Sequence, residues 1–222
     1  MLTLALALVI AQSQMRIVMD AQTVVAYDVR QVYKTLDGIE TTEFVEQWRY
    51  SVTEMLNGGA AKLKVERTLT KMIVDGTAII MKPETSETSE DRSPAGDVRN
   101  RKPVETLDST YELRLLRIAD VAYPGVAVGE GSAWQKAFEA TDYGIPAGTA
   151  TWLVESEADG MLKGTFTYVE KDVPNPITAE GTFTVSRKDG WPQELAFKAI
   201  NTYQPGDEEK LPTLFEFSMK RR

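Results

Sequence analysis

The feature that most constrains the fold is an alternation of apolar and polar residues along stretches much longer than an ordinary β-strand. In residues 23–36, for example, Val25, Tyr27 and Val29 fall on one face of an extended chain, whereas Asp28 falls on the other. Such period-two alternation is typical of antiparallel strands with one buried face. Turn-forming residues interrupt it at separations of 15 to 20 residues in both halves of the chain. Because strands usually have about five or six residues, strands this long must twist and curl.

The pattern predicts an all-β fold, with room for one or two short helices, in which about ten antiparallel strands form a long-stranded meander. A closed barrel, a curved half-barrel and a strongly curved sheet are all consistent with it. An immunoglobulin-like sandwich fits less well, because its turns recur about every 8 to 12 residues. An outer-membrane barrel is also disfavoured, since charged residues occupy mid-strand positions that would face lipid. The predicted strands are 23–36, 43–56, 60–73, 77–81, 133–140, 147–157, 161–171, 177–187, 192–203 and 212–220.

Two segments break the alternation. Residues 83–105 carry Ser, Thr, Glu, Arg and Pro without periodicity, which predicts a flexible polar loop within one domain or, alternatively, a domain boundary. Residues 111–123 fit either a short helix or a strand: Leu113 and Leu116 suit a helix, whereas Leu113 and Leu115 suit a strand.

The N-terminus predicts export. Residues Leu2 to Ala11 form an uncharged apolar run of ten residues, which fits a secretory signal and is too short to span a bilayer. We expect a signal peptide over 1–13, with cleavage after Ala11 or Ser13; an N-terminal buried strand is the alternative. The remaining chain, 14–222, is expected to be a single β domain without a transmembrane span, located in the periplasm or outside the cell.

Composition excludes several chemistries. The 222 residues include no Cys and no His, so Ser-His-Asp, Cys-His, His-metal and thiolate sites cannot be built from this chain, and neither can disulfides. A net charge of −8 argues against nucleic-acid binding. The sequence Gly129-x-Gly131 lacks the third glycine and the βαβ unit of a dinucleotide loop. We therefore expect no cofactor, no metal site and no catalytic set, although 33 Asp and Glu residues leave a carboxylate-dependent hydrolase open.

Aromatic residues are the candidates for ligand binding. They recur on one face of several predicted strands, and on the concave face of a half-barrel they would hold an apolar ligand. The alternative is that they form the core, because aromatic side chains dominate the packing of any β-sheet of this size. The candidates are Phe44, Trp48, Tyr50, Trp134, Phe138 and Trp152.

The segment 123–134, Tyr-Pro-Gly-Val-Ala-Val-Gly-Glu-Gly-Ser-Ala-Trp, resembles a recurrent stretch in bacterial secreted proteins that are grouped as domains of unknown function. The strand at 59–65 is similar to an earlier element of that pattern, and 164–168 and 179–185 resemble its closing hairpins. The resemblance covers most of the mature chain and implies an exported β-rich protein, with no known catalytic residue to carry over. In architecture the chain is also similar to the half-barrels of periplasmic lipoprotein carriers, an analogy of shape.

Taken together, these features favour a non-catalytic exported binding protein that carries an apolar ligand or contacts another cell-envelope component. The alternatives are a carboxylate-dependent hydrolase and a structural or adhesive module that acts through a sheet edge or residues 83–105. The sequence indicates neither the ligand nor the oligomeric state.

Overall fold

In the computed structural model, which describes residues 14–101, 109–141, 144–204 and 207–222, most of the chain forms a single sheet of twelve antiparallel strands. One α-helix, α1 (Ser109–Ile118), accompanies the sheet in this part of the chain. The strands are β1 (Val24–Thr35), β2 (Thr41–Met55), β3 (Ala61–Val74), β4 (Thr77–Ile79), β5 (Glu84–Arg92), β6 (Val98–Arg99), β7 (Ala133–Phe138), β8 (Gly148–Ala158), β9 (Met161–Glu170), β10 (Thr178–Ser186), β11 (Pro192–Thr202) and β12 (Thr213–Arg221).

The strand order shows how the chain builds this sheet. From edge to edge the order is β6, β5, β3, β2, β1, β12, β11, β10, β9, β8, β7, with β4 paired to the end of β3. The first half of the chain therefore grows outward from β1 to one edge, and the second half starts at the opposite edge and returns to β12 beside β1. The two edge strands, β6 and β7, are not paired with each other, so the sheet is open. The prediction of an all-β, long-stranded antiparallel meander is confirmed, and the closed barrel is excluded.

The strand boundaries agree with the sequence pattern to within about two residues for most strands. The ambiguous segment 111–123 begins as helix α1, which ends at Ile118. No helix in the described ranges is long and apolar enough to cross a membrane.

The predicted polar loop at 83–105 is wrong for much of its length. Strand β5 pairs with β3 from Glu84 to Arg92, and the short strand β6 pairs with β5. Glu90 and Arg92 are buried on this strand, so its inward positions carry charge and no apolar alternation exists for a sequence pattern to detect. Backbone hydrogen bonds to a long neighbouring strand hold such a segment without apolar side chains. Residues 102–105 lie outside the described residues.

One face of the sheet, called the inner face below, carries most of the large buried side chains. Along β9, for example, Leu162, Phe166 and Tyr168 are buried, whereas Lys163 and Thr167 on the opposite face are exposed. Burial of this apolar area, worth about 25 cal/mol per Å², is the main source of stability. Buried inner-face residues include Tyr27, Val29, Trp48, Leu63, Trp152, Val154, Phe183, Leu195, Phe197, Phe215 and Phe217.

Close packing on the inner face depends on glycines that leave room for aromatic rings. A Cβ atom on Gly164 would overlap the carbonyl oxygen of Leu153 and would lie 2.9 Å from the ring of Phe183. A backbone oxygen cannot move away as a flexible side chain can. Any side chain at this position must therefore distort the pairing of β8 with β9.

We expect Gly164→Ala to lower the free energy of unfolding by about 1–3 kcal/mol, the usual cost of overpacking a core. Urea denaturation followed by far-ultraviolet circular dichroism measures it. Gly125→Ala is the matched control, because a Cβ atom there meets nothing within 4 Å. Equal denaturation midpoints for the two variants would contradict the described packing of β8 against β9.

Candidate functional site

The inner face is covered by chain that does not belong to the sheet. Because β6 and β7 lie at opposite edges, the connection between them passes through α1 and then 119–128; we call these two segments together the cover. All of the buried apolar cover residues except Leu113 join the same core cluster as the inner-face side chains. The N-terminal segment 14–19 adds Met15 and Ile17 to this cluster. The buried apolar cover residues are Tyr111, Leu113, Leu115, Ile118, Val121, Ala122, Tyr123 and Val128.

Ion pairs attach the cover to both halves of the sheet. Glu112 of α1 is paired with Arg67 of β3, and Arg114 donates to Glu170 of β9 from Nε at 2.8 Å and from Nη2 at 2.5 Å. The side chain of Glu170 is completely buried. The helix therefore bridges strands that are six places apart in the sheet order.

A third attachment is a buried cluster of two arginines and two carboxylates, called the ion cluster below: Glu90, Arg92, Arg101 and Asp120. Arg101 holds the Asp120 carboxylate with two hydrogen bonds, of 2.9 Å from Nη1 and 2.7 Å from Nη2. Arg92 and Arg101 both donate to Glu90, at 2.6–2.9 Å and 2.8 Å. Glu90 and Arg92 belong to β5 and Asp120 to the cover, so the cluster joins the two.

The balance of charge in the ion cluster favours ionised Glu90. Burial alone would raise the pKa of this carboxyl group, but Arg101 and Arg92 outweigh burial and lower the pKa from 4.5 to about 2. A carboxyl group with a pKa lower in the folded chain than in the unfolded chain stabilises the fold above its unfolded pKa. That stabilisation disappears as the pH falls from about 4.5 toward about 2.

We expect acid to destabilise the protein over this window, with Glu90 accounting for about 3 kcal/mol between pH 5 and pH 2. Urea denaturation at a series of pH values measures the effect. Glu194→Gln serves as the control, because Glu194 pairs with Lys220 at the surface and its removal should leave most of the acid sensitivity in place. A stability that does not change between pH 5 and pH 2 would contradict the ionised buried cluster.

The structure places all six predicted ligand-binding residues on the inner face or packed against its core cluster. Trp48, Tyr50 and Trp152 are buried, and the other three are partly buried. They form two groups: one lies on β2, and the other lies on β7 and β8, where the rings of Trp134 and Trp152 stack at 5.7 Å. Five strands separate the groups in the sheet order. Their role in ligand binding stays a prediction.

The space around the first group is small. Trp48 and Tyr50 line two cavities of about 20 Å³ each beneath α1, and Arg101 and Leu116 line both cavities as well. A volume of this size holds about one water molecule. A ligand of ordinary size needs about 300–1,000 Å³, so a ligand could occupy this part of the inner face only if the cover moved.

Larger open spaces lie elsewhere among the described residues. A cleft of about 400 Å³ separates the edge strands β6 and β7, with Lys136 and Asp97 paired across it. A groove of about 530 Å³ runs over the outer face, where Thr182, Ala196 and Ser218 lie side by side on neighbouring strands. Neither space is lined by aromatic residues of the β2 group.

Sequence reasoning missed the buried charges. Glu46 and Arg67 occupy inward positions of strands that were predicted correctly, and they interrupt an otherwise apolar series. A charged residue at a position where the alternation of a strand predicts an inward-facing side chain could have indicated a buried ion pair, because buried charges are almost always paired. The ion cluster gave no such indication, since Glu90, Arg92 and Arg101 lie in 83–105, which has no periodicity, and Asp120 lies in 111–123, where the period is ambiguous.

Comparison with known proteins supports the fold alone. No protein-family model matches the sequence, and no curated protein matches it. The chain is similar to the solved structure named "Lipid-protein interactions in lipovitellin", with a TM-score of 0.52 and 12% identity, over 89% of this chain and 24% of that chain. A second structure, "Crystal structure of an N-terminal dehydratase from difficidin assembly line", aligns over 90% of this chain and 78% of that one with 9% identity, but its TM-score of 0.15 carries no argument. The chain thus spans about a quarter of the lipovitellin chain and shares its sheet architecture; the resemblance to a secreted family stays a prediction.

Proposed function

We propose that this is a non-catalytic binding protein that holds an apolar, lipid-like ligand between the inner face of the sheet and the cover. One observation carries the proposal: an aromatic inner face is covered by a connecting segment that ion pairs attach, and not by a second sheet or by closure into a barrel. Such a cover can separate from the sheet without breaking the pairing between any of the twelve strands, although its bridge from Ala127 to Gln14 would have to open unless the N-terminal segment moved with it. The lipovitellin structure, named for lipid–protein interactions in that protein, has a similar sheet.

The alternative hydrolase gains no support from the buried carboxylates. A glycosidase-like acid needs a carboxyl group with a raised pKa. The pKa of Glu90 is lowered, and Glu46, Asp120 and Glu170 are each paired with arginine. These groups suit attachment of the cover better than proton transfer.

Because the cavities beneath α1 hold about one water molecule, binding must follow opening of the cover. The apparent affinity is then reduced by the fraction of molecules that are open. A change that weakens the attachment without leaving a buried charge should raise this fraction and speed ligand uptake.

We expect dibromostearate to quench the tryptophan fluorescence of the purified protein, because Trp48, Trp152 and Trp191 are buried in the core cluster and Trp134 packs against it. We further expect the double change Arg114→Gln, Glu170→Gln to speed quenching by about 5–10-fold, since it replaces a charged attachment by a neutral one. Stopped-flow fluorescence measures the rate.

The matched control is Glu54→Gln, Lys62→Gln, which removes an exposed ion pair between β2 and β3 that does not touch the cover. Unbrominated stearate corrects for changes in fluorescence that do not come from contact with bromine. Absence of quenching in every variant would reject the proposed function. Equal rates in the two double variants would reject opening of the cover as the route.

We also propose export, on the strength of the apolar run at residues 2–11, which lies outside the described residues. The denatured mass of the protein secreted by a suitable bacterial host tests it. Loss of 11 or 13 residues would support the proposal, and a full-length mass in the cytoplasm would reject it.

A further inference from the structure

Asp120 belongs to the cover, and its side chain lies against the inner face at a place that suits the head group of a ligand. The residue is 8% exposed, and its carboxylate sits between Arg101 and Arg92, at 2.7 Å and 3.4 Å from their Nη2 atoms. The bond to Arg101 is bidentate, the geometry in which arginine binds carboxylates most specifically. Unlike Glu90, which lies on β5, Asp120 belongs to the cover and must leave when the cover opens.

Opening the cover changes the charge balance of the ion cluster. With Asp120 in place, two arginines face two carboxylates. Once Asp120 leaves, Arg92 and Arg101 share Glu90 alone, and one positive charge has no partner. The cover can bury this charge again at low cost only if an anion balances it, so a ligand carboxylate is favoured at the place that Asp120 has left.

Arg92, one of the two arginines that remain, is held in position by residues outside the cover. The guanidinium of Arg92 lies 5.6 Å from the ring centres of both Tyr50 and Trp191, and Nε donates to Glu90 at 2.9 Å. None of these contacts involves the cover. The site is therefore prepared for an anion before a ligand arrives, which lowers the cost of binding.

A second, independent observation points to a polar ligand atom at the same place. Tyr27 lines the cavity that Arg92, Arg101 and Asp120 also line, and its hydroxyl is buried with no hydrogen-bond partner among the described residues. Burial raises the pKa of this hydroxyl well above its usual value, so it stays protonated and can donate. Buried polar groups are almost always hydrogen-bonded, and a carboxylate in this cavity would accept the bond.

From these observations we propose that Asp120 is a built-in substitute for the carboxylate of a fatty-acid-like ligand, which displaces it and binds Arg101 and Arg92. Trp48 and Tyr50 line the same cavity and would contact the first part of the acyl chain. This inference rests on the proposed function, because it requires an apolar ligand beneath the cover, and it adds the chemical class of the head group.

The test compares two probes that differ only in the head group, oleate and oleyl alcohol, each titrated into the purified protein below its critical aggregation concentration by isothermal titration calorimetry. We expect oleate to bind at least tenfold more tightly. If neither probe binds, the proposed function itself fails. If both bind equally, or the alcohol binds more tightly, the proposed function survives and the carboxylate site is rejected.

Two variants then test whether the ion cluster causes the preference for oleate over oleyl alcohol. Asp120→Asn should tighten both probes and keep their ratio, because it weakens only the closed state. Arg101→Gln combined with Asp120→Asn leaves Arg92 balanced by Glu90 and should reduce the preference for oleate to about twofold or less. Urea denaturation checks that this variant is folded. A tenfold preference that persists in the folded variant would overturn the assignment of the head group to the ion cluster.

Discussion

Glu90→Gln is expected to lower the free energy of unfolding by about 3–5 kcal/mol, because it removes one partner from a buried ion cluster. Glu90 is 3% exposed and accepts hydrogen bonds from both Arg92 and Arg101. Glutamine has nearly the same volume, so packing changes little, and its amide oxygen can still accept a hydrogen bond. It cannot neutralise charge, which leaves two buried guanidinium groups to share Asp120.

Glu87→Gln on the same strand is the matched control. Glu87 pairs with Lys64 at 2.7 Å, but its side chain is 58% exposed, so its removal should cost less than about 1 kcal/mol. The double change Glu90→Gln, Arg101→Gln should recover part of the loss, because it restores the balance of charge. Urea denaturation midpoints at pH 7 measure all three variants. Similar midpoints for the two single variants would contradict a buried, charged cluster at this place.

The difference between β9 and β5 explains which parts of the fold the sequence predicts. In β9, buried Leu162, Phe166 and Tyr168 alternate with exposed residues, so the period of two identifies the strand and its buried face. In β5, the buried positions carry Glu90 and Arg92, and the same rule indicates a loop. A hydrophobic pattern detects strands that bury apolar side chains. It does not detect strands that are held by backbone hydrogen bonds and ion pairs.

For a related reason, the sequence predicted the aromatic residues of the candidate site but not the cover. The aromatic residues were identified because each occupies a position that the alternation of its own strand predicts to face inward. The cover could not be predicted, because it follows from the strand order: β6 and β7 lie at opposite edges, so their connection crosses the inner face. Strand order depends on contacts between residues far apart in the chain, and one sequence does not specify them.

Trp152→Ala is the other change with a large expected effect, a loss of about 3–5 kcal/mol of unfolding free energy. Trp152 is 2% exposed, stacks on Trp134 at 5.7 Å and faces Phe166 on the neighbouring strand. Removing the indole leaves a cavity that these rings cannot fill without leaving their own positions. The destabilisation therefore combines the lost burial of the indole with the dispersion attraction that the neighbouring rings no longer receive from it.

The next residue along β8 provides the control and also separates stability from binding. Leu153 points to the outer face and is 42% exposed, so Leu153→Ala should change stability by less than about 1 kcal/mol. If Trp152→Ala costs no more than this, the inner face is not packed as described. If the stability loss appears, quenching by dibromostearate is then measured at a urea concentration where the variant remains folded. A ligand held by the aromatic face should bind this variant more weakly than Leu153→Ala, whereas a purely structural Trp152 predicts equal binding.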